Sequence, residues 1–335
     1  MMTDFSFMGF RFKPVSLTDP RPLADLLRKH PQPLAGYTFA TLAAWNSFYQ
    51  YGWVTVEPET LLISCRLESD MNRHLLQPVG PMSAETARTL TESAAELNYP
   101  LKIIGTNSGF LKQYPDFLKS FSVVEDRAFS NYLYSAHMLA QLSGRKYAKK
   151  RNLLSQASGL YRWSCHPIGP ELVDECFAVL DSIREEEHPR IEGMLKREIA
   201  ALEFTLHHFR ELLQQGLLIQ VEERPVAFSI YEPISSTTVA IHFERALRSY
   251  KGLYQVINWE TSRLIAERGF QFINREEDLG DPGLRDAKKS YHPIEIVPSF
   301  ELTYVKPQYG TLRRSRSAPV ERTESGSLQS DNFDL

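Results

Sequence analysis

Cysteine is scarce in this chain, long apolar runs and a strong excess of either charge are missing, and each of these removes a class of function. The three cysteines, Cys65, Cys165 and Cys176, are an odd set in 335 residues, and no CxxC spacing relates them. A disulfide framework and a thiolate metal site are therefore not expected. Cys65 falls in an apolar strand pattern and Cys176 on an apolar helix face, which reads as buried thiols in a reducing compartment. No stretch approaches the ~18–20 apolar residues of a membrane span. The opening residues MMTDFSFMGFRFKP carry an early acid and no sustained apolar core, so a cytoplasmic location is expected and a secretory signal is not. With 38 Lys+Arg against 41 Asp+Glu, the formal net charge of −3 gives no global basic field, and any contact with nucleic acid must come from a local patch. Neither a Cys nor a Ser sits in a nucleophile motif, which argues against a covalent intermediate. The acids of REEEHP (184–189) are consecutive, spread around a helix end and do not converge, so no metal site is expected there.

What is present is a globular composition, 42% hydrophobic and 24% charged, in a chain long enough for two domains. Residues 216–293 are the most informative. They read as strands LLIQVEE, VAFSIYE and TTVAIHFERA, then a basic loop RSYKG, a helix LYQVINWETSRLIAERG, and a strand ending in NREEDLG. A strand feeding a glycine-containing loop and a helix start offers free backbone N–H groups and a favourable dipole to an anion. Arg248, Tyr250, Lys251 and Gly252 are the candidate phosphate-binding residues; a plain strand-to-helix turn is the alternative.

The first half repeats this plan. YGWVTVE, TLLISCR and RHLLQPVG read as strands, Ser83 as the N-cap of a helix with Ala87, Leu90, Ala94 and Leu97 on one face, and LKIIGTN as the strand after it. TLLISCR aligns with VAFSIYE and LKIIG with FQFIN at nearly equal offsets, which indicates a structural duplication. Where the second copy has RSYKG, the first has PVGPMS, with two prolines and no cation, so it is expected to be unfit for phosphate. Second-half helices carry Leu172, Cys176, Val179 and Ile183 on one face, and Ile199, Leu202, Leu206, Phe209 and Leu213 on another. The division expected is 1–140 for a first, degenerate domain, 141–158 for a basic linker helix, 159–308 for a second domain with the donor site, and 309–335 for a polar, disordered tail. NYLYS is read as a closing strand before the linker. Arg145, Lys146, Lys149, Lys150 and Arg151 make the linker either a solvated helix or a patch for an anionic partner such as RNA, a nucleotide or a lipid headgroup. RSRSAP in the tail resembles a phosphoserine docking motif, with coincidence as the alternative.

The order of elements, with the strings VAFSIYE, HFERA, KGLYQVIN, INREEDLG, GLRDAKKSYHP and GRKYAKKRN, resembles the C-terminal domain of the phosphatidylglycerol lysyltransferase family, among its soluble members. The resemblance is strongest over roughly residues 125–305 and rests on element order before that. It implies an α/β fold of two tandem domains like the Gcn5-related N-acetyltransferases, each a mixed, mostly antiparallel twisted sheet flanked by helices. It also implies an acyl- or aminoacyltransferase acting by direct attack of an amine or hydroxyl acceptor, a small molecule or a lipid headgroup. No tightly bound cofactor is implied. The loop 248–254 supplies one Arg and one Gly and places Tyr254 where a small residue usually stands, which ranks aminoacyl-tRNA ahead of acyl-CoA as donor, with the basic linker residues Lys146, Lys149, Lys150 and Arg151 as the tRNA contact. A non-catalytic module that binds an anionic ligand or RNA is the rival.

Acyl transfer to an amine needs a neutral amine, an aligned carbonyl and a donor to the developing oxyanion. The oxyanion donor is expected to be a backbone N–H at residues 243–245. Strand alternation turns Val239, Ile241 and Phe243 one way, and His242 and Glu244 the other. Glu244, Glu276 and Tyr291 are the candidate catalytic residues; the resemblance gives Tyr291 the protonation of the leaving group. His242, Asn274, Arg275, Glu277 and Asp278 are the candidate substrate-binding residues, with internal ion pairing as the alternative for the acidic cluster.

Overall fold

A computed structural model describes residues 3–18, 20–187 and 193–306. The expected tail, the RSRSAP motif and the His188–Pro189 end of the acidic run lie outside the described residues.

Apolar residues alternating along short segments bounded by turns produce strands, and here they build two sheets. The first-half strands are β1 (Phe5–Phe7), β2 (Phe10–Pro14), β3 (Gly52–Glu57), β4 (Thr60–Arg66), β5 (Arg73–Leu76), β6 (Lys102–Thr106) and β7 (Phe121–Glu125). Then come β8 (Asn131–Ser135), β9 (Trp163–Pro167), β10 (Gln215–Val221), β11 (Arg224–Pro233), β12 (Thr238–Ala246), β13 (Phe272–Asn274), β14 (Glu295–Val297) and β15 (Phe300–Tyr304). One sheet runs β1-β2-β3-β4-β5-β6-β15-β7 and the other β14-β8-β13-β12-β11-β10-β9. Within each, one neighbouring pair is parallel, β5 with β6 and β12 with β13. A parallel pair needs a crossover, supplied by the helices Ala84–Glu96 and Leu253–Glu267. Duplication, crossover helices and mostly antiparallel sheets are as the sequence implied.

The sheets do not follow the expected division at residue 140. NYLYS is β8, a strand as expected, but it inserts between β13 and β14 of the second sheet. β15, at the far end of the chain, inserts between β6 and β7 of the first. Each half thus receives its penultimate strand from the other. A cluster containing Tyr37, Leu61 and Leu76 from the first half also takes Leu212 and Val297 from the second, so one apolar seam joins the halves.

Ser83 caps its helix by accepting the Thr86 N–H at 3.1 Å, and Leu90 and Ala94 are buried as expected. Cys176, Val179 and Ile183 form a buried face, whereas Leu213 lies past the end of helix Gly193–His207 and is 74% exposed. The linker forms a helix that is exposed along most of its length. Helix Ala148–Leu160 packs Ala157 fully into the second-half core. No helix among the described residues is long and apolar enough to cross a membrane.

Candidate active site

A cavity of about 1200 Å³ lies between the halves, lined by residues of both. The first half faces it with Tyr37, Trp45, Tyr49 and Tyr51, an aromatic wall; the second half supplies most of its ionisable groups, including His242, Glu244, Arg275, Glu276, Glu277 and Tyr291.

His242 reaches the site through a fault in the sheet. Ile230 pairs with Phe243 and Tyr231 with Ile241, so His242 is an extra residue, a bulge. Bulges re-aim side chains, and the simple alternation expected for this strand fails here. Val239 and Ile241 join the cluster around Tyr134 and Tyr291, while Phe243 joins the core on Phe228 and Ile230. The His242 ring donates from Nε2 to Glu232 Oε1 at 2.9 Å and from Nδ1 to Glu276 Oε1 at 2.7 Å. Burial disfavours the imidazolium, but the hydrogen bonds and charges of Glu232 and Glu276 outweigh it and hold the ring up at about 10. His242 is therefore a cation at neutral pH, with both N–H groups committed. It cannot serve as a base.

The loop after β13 carries the rest. Glu276 adopts φ 57°, the left-handed region unusual for a residue with a side chain. Asn274 Oδ1 holds it there by accepting the Glu276 N–H at 2.8 Å. Arg275 donates to Glu244 Oε1 at 2.8 Å, and its guanidinium lies 5.3 Å from the Tyr291 ring centre. Glu277 accepts a hydrogen bond from Asn131 Nδ2 at 3.3 Å. Burial, then the charge of Glu276, push its carboxyl up to about 7. Lys288 donates to the carbonyl oxygens of Arg275 and Glu277 and fixes the loop from below. Burial pushes the Tyr291 phenol up to about 12, and Gln255 hydrogen-bonds its side chain. At neutral pH the phenol keeps its proton.

Two expected substrate-binding residues are structural pins outside the cavity lining. Asn274 is fully buried and donates to Pro33 O and Asn131 Oδ1, each at 3.0 Å, tying the halves together. Asp278 accepts from Tyr132 at 2.6 Å, from Arg127 at 3.2 Å and from Arg285 at 2.9 and 3.0 Å. Arg285 first, and then Tyr132, hold its carboxyl far below the usual range against the effect of burial.

The donor loop is already occupied. Glu186, from helix Val173–Glu187, accepts the backbone N–H of Arg248 at 2.8 Å and of Ser249 at 3.2 Å, and the Ser249 hydroxyl. The amide cradle exists as expected, but the chain's own carboxylate sits in it. Lys251 N–H donates to the Tyr161 hydroxyl at 3.1 Å, and the Tyr250 ring packs 5.3 Å from the Tyr161 ring. Gly252 has φ 81°, and a Cβ there would meet Leu153 O at 2.8 Å. Its glycine serves helix packing, not approach of a ligand. Arg248 and Tyr254 line the cavity; Tyr250, Lys251 and Gly252 do not.

The basic patch divides. Lys146 lies 5.2 Å from the Tyr147 ring centre, Lys149 is exposed, and Arg151 donates to the carbonyls of Leu142 and Gly144. Lys150 turns into the cavity, with Nζ 3.7 Å from the Tyr291 ring centre. Sequence reasoning missed Glu232, Glu186, Asn131 and Lys288. Only Glu232 left a local sign, a carboxylate ending the strand beside the His242 strand. Among the described residues, no group of three or more His, Cys, Asp and Glu side chains is placed to hold a metal.

Comparison with curated proteins found no match. Among solved structures, a Bacteroides thetaiotaomicron protein of unknown function is 29% identical, with a TM-score of 0.80 over 88% of this chain and 99% of that one. The C-terminal domain of a putative lysylphosphatidylglycerol synthetase from Agrobacterium fabrum is 13% identical, with a TM-score of 0.62 over 88% and 93%. L-PGS from Bacillus licheniformis is 15% identical, with a TM-score of 0.60 over 86% and 92%. The latter two share the fold, the tandem acyltransferase-like arrangement that the resemblance implied. Residues 28–302 match the family described as phosphatidylglycerol lysyltransferase, C-terminal, and the chain belongs to that family.

Proposed function

We propose that this chain is an aminoacyltransferase that moves an aminoacyl group from aminoacyl-tRNA to an amine or hydroxyl acceptor held in the cavity between its halves. One observation carries the reading: a carboxyl poised near neutrality, Glu277, and a phenol that keeps its proton, Tyr291, line the same cavity. General acid–base catalysis is most effective when the base lies near the working pH. Glu277 accepts the proton of the acceptor as its nitrogen or oxygen attacks the donor's ester carbonyl. Tyr291 gives its proton to the oxygen that departs, the role its place in the family resemblance implied. The backbone N–H groups at residues 243–245, beside the His242 bulge, are the proposed oxyanion donors. Glu276 is engaged by the His242 imidazolium and Glu244 by Arg275, so both position their neighbours, and the base moves one residue along the chain from the expected Glu276.

The occupied loop favours this donor over acyl-CoA, whose pyrophosphate would have to displace Glu186 from the Arg248 and Ser249 amides. No tightly bound cofactor enters the scheme. The test is transfer of a radiolabelled amino acid from charged tRNA to a lipid extract and to small amines, by the full chain and by Glu277→Gln. Label should reach an acceptor with the native chain, and the variant should lose about 10²–10⁴ of the rate. Retention of charged tRNA without any transfer would favour the non-catalytic module.

A further inference from the structure

The sequence places Lys150 in a run of surface cations, but the side chain enters the cavity and stands over the Tyr291 ring, with Nζ 3.7 Å from its centre. The Arg275 guanidinium approaches the same ring, at 5.3 Å. Arg275 has a counter-ion in Glu244, at 2.8 Å. Lys150 makes no ion pair or hydrogen bond among the described residues, and the π face of Tyr291 is the only acceptor it meets. Burial, and then the charge of Arg275, push its ammonium down to about 8. A half-buried ammonium facing a cavity without a counter-ion is a costly arrangement for a chain to keep. Such a charge is relieved when a ligand brings the missing anion.

We propose that Lys150, with Arg275 beside it, forms an oxyanion-binding subsite over Tyr291 that takes a singly charged group of one substrate, a phosphodiester or a carboxylate. The charges beside the Tyr291 ring set the valence. Glu244 neutralises Arg275, and one positive charge is left over. A monoanion balances it, whereas the dianion of a phosphomonoester or a pyrophosphate would be left half-compensated. In the same site, one imidazolium, His242, stands between two carboxylates, Glu232 and Glu276. The His242 cation is thus held by its own carboxylates, whereas the Lys150 ammonium is not. The inference refines the proposed reaction by adding a property of one substrate. It is read by binding alone, so it and the transfer chemistry can fail separately.

The experiment is calorimetric titration of the full chain with three monoanions: the dinucleotide cytidylyl-(3′→5′)-adenosine, glycerophosphoglycerol, and acetate. The first represents a phosphodiester of the donor's nucleic acid, the second that of a lipid headgroup, and the third a carboxylate. At least one should bind, Lys150→Met should weaken it by about tenfold or more, as expected for loss of a charge-assisted contact, and Lys150→Arg should recover most of the loss. Lys289→Met, an exposed lysine outside the cavity, should bind as the native chain does. The ligand that responds identifies the source of the oxyanion. Binding of none of the three, or equal binding by Lys150→Met, overturns the proposal. Thermal unfolding guards against a folding artefact. Removing a charge without a counter-ion should leave the Tm of the free Lys150→Met chain unchanged or higher, and a fall of several degrees would mark the lysine as structural and overturn the proposal as well.

Discussion

Two buried histidines, one in each half, sit on the strands that precede the two crossover helices. His74 on β5 meets one carboxylate, Asp70, at 2.9 Å through Nε2, and its Nδ1 accepts the Lys102 N–H at 2.9 Å. A ring that accepts at one nitrogen must be neutral, and burial pulls its pKa down despite Asp70. His242 on β12 is also buried but has a carboxylate at each nitrogen, and it stays charged up to about 10. Replacing one backbone donor with one carboxylate turns a structural histidine into a fixed cation. The same contrast separates the halves. The first offers the cavity an aromatic wall, while the second supplies most of its ionisable groups.

The strongest way to break this comparison is to find catalysis in the wrong half. Glu277→Gln and Tyr291→Phe should each lower turnover by about 10²–10⁴ with the fold retained, while Asp70→Asn in the first half should leave turnover unchanged. Steady-state transfer rates decide it. Next in size is backbone geometry. Gly80, in the first crossover loop, has φ 89° and would place a Cβ 1.9 Å from Glu59 O; Gly252, in the second, would meet Leu153 O at 2.8 Å. Alanine at either should destabilise by roughly 1–3 kcal/mol or more, with Gly80→Ala the worse, as measured by urea unfolding. Equal losses would mean that the two loops are held alike.

The histidines predict opposite pH slopes. His242 binds its proton more tightly folded than unfolded, so its contribution is full below the unfolded value of about 6.5 and is lost as pH rises through about 10. His74 binds its proton less tightly when folded. Its contribution is full above about 6.5 and is lost as pH falls through its lowered value. His242→Gln should flatten the alkaline limb of a stability–pH curve, and His74→Gln the acid limb. The smallest effect concerns the loop. Glu186→Ala should vacate the Arg248 and Ser249 amides and allow coenzyme A to bind more tightly than to the native chain, by a modest factor in calorimetry. Unchanged affinity would show that the carboxylate does not guard the cradle.

Short-range features were legible in the sequence. The Ser83 cap, the buried face of Cys176, Val179 and Ile183, the hairpins and the crossover loops are each fixed by residues a few positions apart. What escaped was set by contacts between distant parts of the chain. Glu186 meets Arg248 across 62 residues, Tyr132 meets Asp278 across 146, and Asn274 meets Pro33 across 241. Periodicity carries no record of such pairs. The bulge at His242 escaped for a related reason: it exists only as a mismatch between two strands, and neither strand alone shows it. The acidic cluster was therefore visible as a cluster, while the division of labour within it, Asp278 as a pin and Glu277 facing the cavity, was not.

The exchange of β8 and β15 has a consequence for how such a chain can change over generations. A sheet built from its own contiguous segment can be copied, dropped or shuffled with a single genetic cut. Here a cut after the first half removes β15 from between β6 and β7, and transplanting the second half alone removes β8 from between β13 and β14. Either product is left with a slot in the middle of a sheet, where unpaired backbone is least tolerable. Halves that share strands in this way can differ in chemistry, one with an aromatic wall and the other with charge, but neither completes its sheet without the other.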